Sequence, residues 1–309
     1  MDVVFSNPVL MAAPIFFVCL FLEFLYSKKK GHKSVYSFWD LSMNAFILGG
    51  IIVLEIILKF ISAAALFYWA YNFFNPETDG VRTNLMGYSV FGWSWYIWII
   101  CQVFEEFGHY WLHRFNHTIR FMWAAHVMHH SSEHFNFGTA FRLSWISKIY
   151  KPFFYMWIPA LGFHPEMVLM CYGIEIVWQF FLHTSYCPKL KWMDIIFVTP
   201  KQHQVHHAKN IEYMDKNHGA IFNIFDKLFG SWKEYDASIE IEYGVTHAPN
   251  LKNPADIILH EYRAIWKDVK NAKSVYEALM YVFGPPGWCP NGKTLTVKQM
   301  QRQLQLKEA

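Results

Sequence analysis

The sequence predicts an all-α integral membrane protein: transmembrane helices plus a re-entrant-type hairpin, capped by a cytoplasmic helical domain that is rich in histidine and suited to two metal ions. Three observations lead there. Hydrophobic residues make up 54% and aromatic residues 19% of the 309, while charged residues are only 17%, against about 45–50% apolar and about 25% charged in soluble domains. The apolar residues are gathered into segments, several of them long enough to cross a hydrocarbon core of about 30 Å. Sixteen histidines are present, and many stand in helical-turn clusters at the ends of those segments. A formal net charge of +3, with no basic run interleaved with aromatics in a polar segment, excludes a nucleic-acid partner. Cys19, Cys101, Cys171, Cys187 and Cys289 form no C-x-x-C pair and read as free thiols.

Val9 to Tyr26 is an apolar run ending at Lys28, Lys29 and Lys30. The basic residues follow the run and no A-x-A site appears, so it reads as a true span and not as a secretory signal. The lysines place its end in the cytoplasm. Phe38 to Phe74 exceeds one span and reads as a long tilted helix followed by an interfacial aromatic segment, with Glu55 and Lys59 paired one turn apart. Asn75 to Gly87, with Pro76, Asp79 and Gly80, is a loop on the outer side. Tyr88 to Phe107 returns the chain to the cytoplasmic face. Ile146 to His183 is apolar but broken by Pro152, Pro159, Gly162 and Pro165, so a hairpin of two short helices is expected, entering and leaving on one side. Asn217 to Trp232 is expected to be a helix stopped at Gly230, Pro254 to Lys270 an amphipathic helix, Val275 to Phe283 a short apolar helix, and Lys293 to Ala309 a solvated, partly disordered tail. The chain thus divides into transmembrane helices over 1–107, a histidine-box region over 108–235 that includes the hairpin 146–183, and a polar C-terminal region over 236–309.

The chemistry is concentrated in three histidine clusters: H-x3-H at His113 and His117, H-x2-H-H at His126, His129 and His130, and a distant second H-x2-H-H at His203, His206 and His207. Residues three and four apart share a helix face, so each cluster is expected to point its imidazoles in one direction. The topology brings all three to the cytoplasmic side. A solvated polar face would carry Lys, Arg, Asn and Gln, so the clusters indicate metal. A single tetrahedral zinc needs three or four ligands, whereas this supply suits two metals, and neutral imidazole suits Fe, Zn, Cu and Ni.

These clusters between apolar spans, over roughly Trp39 to Pro249, resemble those of the sterol desaturase and fatty acid hydroxylase superfamily of membrane di-iron oxygenases. Within that stretch, H-H-S-S-E at His129–Glu133, T-A-x-R at Thr139–Arg142 and D-K-N-H-G at Asp215–Gly219 are similar to the alkylglycerol monooxygenase branch. The resemblance implies two iron ions, O2 and a lipid substrate from the bilayer. The branch further implies tetrahydrobiopterin as electron donor, a redox protein being the alternative in other members, and hydroxylation of the carbon beside an ether oxygen. The related reading is hydroxylation or desaturation of a sterol, fatty acyl or aminolipid chain. A membrane metal transporter is the rival class, but its ligands belong near the middle of spans, whereas these clusters lie at span ends.

The resemblance also puts His183 in the place of an extra metal ligand, with Gln179 beside it. His109 extends the stripe of His113 and His117 as a neighbour. Glu133 and Asp226 are candidate catalytic carboxylates that take the far N–H of a metal-bound histidine. Asn136, Thr139 and Arg142 are candidates for holding a pterin or a lipid headgroup. Thr118 and His218 depart from the branch pattern, the latter with a hydrogen-bonding role expected.

Overall fold

The computed structural model describes residues 7–32, 35–57 and 63–308. It is built of helices: α1 (Pro8–Lys30), α2 (Phe38–Ile57), α3 (Ala63–Phe74), α4 (Trp95–Thr118), α5 (Arg120–His130), the short α6 (Ser147–Tyr150) and α7 (Trp157–Ala160), α8 (Pro165–Leu182), α9 (Pro200–His207), α10 (Ile224–Leu228), α11 (Pro254–Lys270), α12 (Val275–Phe283) and α13 (Val297–Glu308). Two dipeptide strands, β1 (Glu77–Thr78) and β2 (Val81–Arg82), pair in the loop after α3. Among the described residues, α1, α2 up to Glu55, and α8 are long and apolar enough to cross a membrane.

Local chemistry sets the ends of α1. Asn7 caps its N-terminus, accepting from the Val9 N–H at 3.0 Å, and Pro8 occupies a first-turn position where no N–H is needed. Gly31 closes it in the left-handed region at φ 73°, which glycine adopts without steric cost. Most of α1 is exposed within the protein, as a lipid-facing helix would be. Its buried edge stacks Phe16 on Phe180 of α8 with ring centroids 4.1 Å apart. Gly173 permits this approach, since a Cβ there would lie 2.8 Å from Pro8.

Several expected elements are redrawn. The span expected from Tyr88 begins only at Trp95, because Thr83 and Ser89 form a β-bridge and the chain reaches Ser94 without helix. From there α4 runs 24 residues, about 36 Å at 1.5 Å per residue, so one helix carries Glu105, Glu106, His113 and His117. In place of two short helices, residues 146–183 hold α6, a 3-10 turn and α7, and then the 18-residue α8. The Glu55–Lys59 pair lies partly outside the described residues, and Glu55 is 2.5 Å from Lys148. The helix expected from Asn217 shrinks to α10, because side chains capture the backbone N–H groups of residues 218–221. The expected disordered tail is α13, held where Gln301 Nε2 donates to the carbonyls of Ile211 (3.1 Å) and Met214 (3.0 Å). The cysteines are free.

A core of Phe67, Ile97, Cys101, Leu112, Phe163 and Met167 joins α3, α4 and α8. A second, of Ile47, Ile51, Met128 and Ile257, ties α2 and α5 to α11. The inner ends of α4, α5, α8 and α9 converge between them.

Candidate metal centre

Nine histidines collect there in two cages. His113, His117, His126, His130 and His206 form one, and His129, His183, His203 and His207 the other; within each, one ring nitrogen per residue lies within 4.8 Å of all the rest. The two H-x2-H-H motifs do not point one way, as expected from spacing alone. Each divides. His126 and His130 serve the first cage while His129 turns to the second; His203 and His207 serve the second while His206 turns to the first. Neighbouring helical positions are about 100° apart around the axis, so i and i+4 stay together and i+3 faces the adjoining cage. Rings therefore interleave across the boundary, His206 against His203 at 5.3 Å and His207 against His130 at 4.3 Å between centroids.

Tautomers follow from the outer nitrogens. Nδ1 of His113 lies 2.8 Å from the His218 carbonyl, that of His129 3.2 Å from Arg142 O, that of His183 2.7 Å from Gln179 O and that of His206 2.8 Å from Lys216 O. A carbonyl only accepts, so each Nδ1 carries the proton and each Nε2 presents a bare lone pair. Yet Nε2 of His129 and Nε2 of His183 stand 3.2 Å apart. Two lone pairs facing each other at that distance repel unless a cation lies between them or one ring is protonated. Burial opposes protonation: it holds His113, His126, His129, His130, His203, His206 and His207 well below the ordinary histidine range, with neighbouring imidazoles adding to the effect, and lowers His183 to about 4. In the first cage the Nε2 atoms of His117 and His206 are buried with no protein partner. This donor set fits metal ions. Neutral, nitrogen-only and free of thiolate, it suits borderline divalent metals such as iron or zinc.

One loop orients three rings of the first cage. Asp215 Oδ1 lies 3.4 Å from His117 Nδ1, Lys216 gives its carbonyl to His206, and His218 gives its carbonyl to His113. Asp215 and Asn217 sit in the left-handed region at φ 56° and 55°. Asp226, fully buried, accepts the N–H groups of His218 (2.8 Å) and Gly219 (2.7 Å) and the Ser231 hydroxyl (2.8 Å). Glu106 accepts those of Ala220 (2.7 Å) and Ile221 (2.9 Å).

The remaining sequence candidates fall as follows. Asp226 touches no histidine ring in the cages and acts on the site through this loop. Glu133 is exposed and packs near Gly244, away from the ring nitrogens. Asn136 and Thr139 shape the turn after α5: Asn136 accepts the Gly138 N–H and donates to Val35 O, while the Thr139 hydroxyl donates to His134 O. Arg142 has no exposed surface, and its three guanidinium nitrogens meet Asp40 (2.6 Å), Asn44 (2.8 Å) and Ser131 (3.0 Å). In the described residues these three side chains brace the turn after α5 against its neighbours. His109 stands outside both cages, with Nδ1 2.7 Å from Glu175, and Gln179 bonds the same carboxylate. The Thr118 hydroxyl donates back into its own helix at Arg114 O. Asp215 and Glu106 received no role from the sequence; the D-K-N-H-G signature was the available signal for Asp215.

A helical protein with membrane-length helices and a paired, nitrogen-only histidine centre defines the class. Residues 98–231 match the family model for fatty acid hydroxylase. The chain carries a fatty acid hydroxylase domain. It is 31% identical over 207 residues to the alkylglycerol monooxygenase of Homo sapiens, covering 67% of this chain and 45% of that protein. To the alkylglycerol monooxygenase of Caenorhabditis elegans it is 33% identical over 205 residues, 62% and 40% of the two chains. To an ornithine lipid hydroxylase of Rhizobium tropici it is 26% identical over 156 residues, 48% and 45%. The matched stretch spans less than half the length of these curated relatives. No solved structure matches the chain.

Proposed function

We propose that this chain is a multi-pass membrane monooxygenase that uses two iron ions and O2 to hydroxylate a lipid chain, at the carbon beside the ether oxygen of an alkylglycerol-type lipid. The observation that carries the metal centre is the pairing of bare, buried Nε2 atoms, with His113, His117, His126, His130 and His206 as ligands to one ion and His129, His183, His203 and His207 to the other. Bound iron would supply activation of O2 for oxidation of an aliphatic C–H bond. The protein's share is positional. Carbonyls of Gln179, Arg142, Lys216 and His218 fix the ring tautomers, and burial favours the neutral rings that bind metal. The ether-lipid substrate is supported by the alkylglycerol monooxygenases among the relatives, and an electron donor, a pterin or a redox protein, is required for the two electrons. Lys28 to Lys30 at the end of α1 favour a cytoplasmic site.

Ligands sit at helix ends and close on themselves with nine imidazoles, which argues against a transport path that must release its ion. The test is metal analysis of the purified protein together with oxidation of a monoalkylglycerol. The expected result is iron in a pair per chain and O2-dependent conversion to fatty aldehyde and glycerol. Active protein holding one zinc and no iron, or activity without O2, overturns the proposal.

A further inference from the structure

A cavity of about 960 Å3 opens on the metal centre, with His117, His130, His206 and His207 at its floor. Its size lies at the upper end of sites for organic ligands, about 300–1,000 Å3. Its far wall is made by residues 281–300, beyond the matched domain. The charges in its walls are largely paired within the protein: Arg120 with Glu261 and Asp268, both at 2.7 Å, and Lys209 with Glu242 at 3.4 Å. The apolar part of the lining, Trp123, Val127, Trp288, Leu295 and Met300, suits an aliphatic chain, and His247, Asn291 and Lys293 stand in the same walls.

The helix behind this wall is amphipathic in the opposite sense to a soluble one. Val275, Tyr276, Leu279 and Phe283 of α12 are 78%, 66%, 52% and 60% exposed and share one side. Tyr276 and Tyr281 both contact the cavity-lining Trp288, with centroids 6.4 and 5.3 Å apart. Lys267, Lys270 and Lys273 precede the helix, and Lys270 sits over the exposed Trp266 ring at 4.8 Å; tryptophan with lysine is typical of a membrane–water boundary. The end of the helix is fixed to the histidine-bearing helices, where the Arg120 N–H, just past the end of α4, donates to Gly284 O at 2.9 Å.

We propose that α12 lies in the membrane surface and that the cavity behind it receives the chain of a single-chain lipid from the leaflet and leads it to the histidine centre. The choice of ligand rests on the reading of the chain as a lipid oxidase. The cavity suits one chain with a small head and not a two-chain phospholipid, so residues 281–300 select the substrate as well as admit it.

The test uses the full chain as purified, kept anaerobic and without an electron donor so that no turnover occurs, in nanodiscs of phosphatidylcholine with phosphatidylglycerol, and a monoalkylglycerol carrying a diazirine at its chain end. After irradiation, adducts are expected on peptides containing Trp123, Trp288 and Leu295, displaced by excess unlabelled monoalkylglycerol. A two-chain phosphatidylcholine probe should mark α12 and spare those peptides. Leu295→Trp should lower cavity labelling about tenfold, equivalent to about 1.4 kcal/mol of binding. Adducts confined to the outer faces of α1, α2 and α8, or cavity labelling that Leu295→Trp leaves unchanged in a folded variant, overturns the proposal. The two readings separate: iron-loaded protein that oxidises the lipid while its cavity stays unlabelled rejects this route alone, and a labelled cavity in protein that takes no iron supports the route and rejects the oxidase.

Discussion

At the scale of single residues, the outer nitrogens are as informative as the inner ones. His129→Ala removes one ligand of the second cage and should abolish activity while leaving membrane insertion intact; full activity in that variant, measured on membrane fractions, would exclude its cluster from the centre. Asp226→Asn weakens the acceptor of two backbone N–H groups and should lower metal content about 10–100-fold in affinity, the usual scale for residues that orient ligands, with the first cage losing its ion before the second. Acid should strip the site. Eight of the cage histidines have depressed pKa values, so the folded protein binds fewer protons than the released, unfolded chain; stability is full above about 6.5, the ordinary histidine value, and falls as pH drops toward about 4, that of His183. A metal-release titration that is flat over that range would contradict the tautomer assignment. Eight of the nine imidazoles were legible in the sequence because three- and four-residue spacing is a property of the helix itself, and His183, which stands alone, came only from the family resemblance. Asp215 was not, because its reach to His117 depends on a left-handed backbone that no spacing reveals.

Elements set how closely those residues can meet. The loop from Asp215 to Gly219 is packed to its limit: a Cβ on Gly219 would fall 2.4 Å from Phe222 O and 3.1 Å from Asp226 Oδ2. Gly219→Ala should therefore displace the loop, costing about 1–3 kcal/mol and reducing metal in the first cage, readable by melting temperature and metal content together. The turn after α5 depends on Arg142. Asp40→Ala leaves that guanidinium buried without its carboxylate and should cost about 3–5 kcal/mol, whereas an unchanged melt would show the pair to be dispensable. The sequence pattern gave α11 and α12 to the residue, since burial and capping there are local, while α1 runs four residues past its apolar stretch to Lys30. It failed at Tyr88–Ser94 and at Asn217–Asn223, where distant groups, a β-bridge in one case and Glu106 with Asp226 in the other, take the backbone hydrogen bonds that a helix would need.

At the scale of the molecule, the C-terminal third is part of the working structure and not an appendage. The sequence read Lys293–Ala309 as a loose tail because its apolar content is low. Gln301 nonetheless fastens α13 to the segment that follows α9, and Gln301→Ala should loosen that segment by about 1 kcal/mol, visible as faster backbone hydrogen exchange over 208–216 with insertion unchanged. The overall plan, helices of membrane length feeding a histidine centre, was legible from composition and clustering; the division of labour between the two cages was not. That division has a consequence for assembly. Because α5 and α9 each contribute to both cages, an ion arriving in either one positions helices that the other also needs. Loading should therefore be cooperative, and partly filled preparations should separate by native mass spectrometry into empty and doubly occupied chains, with the singly occupied form scarce.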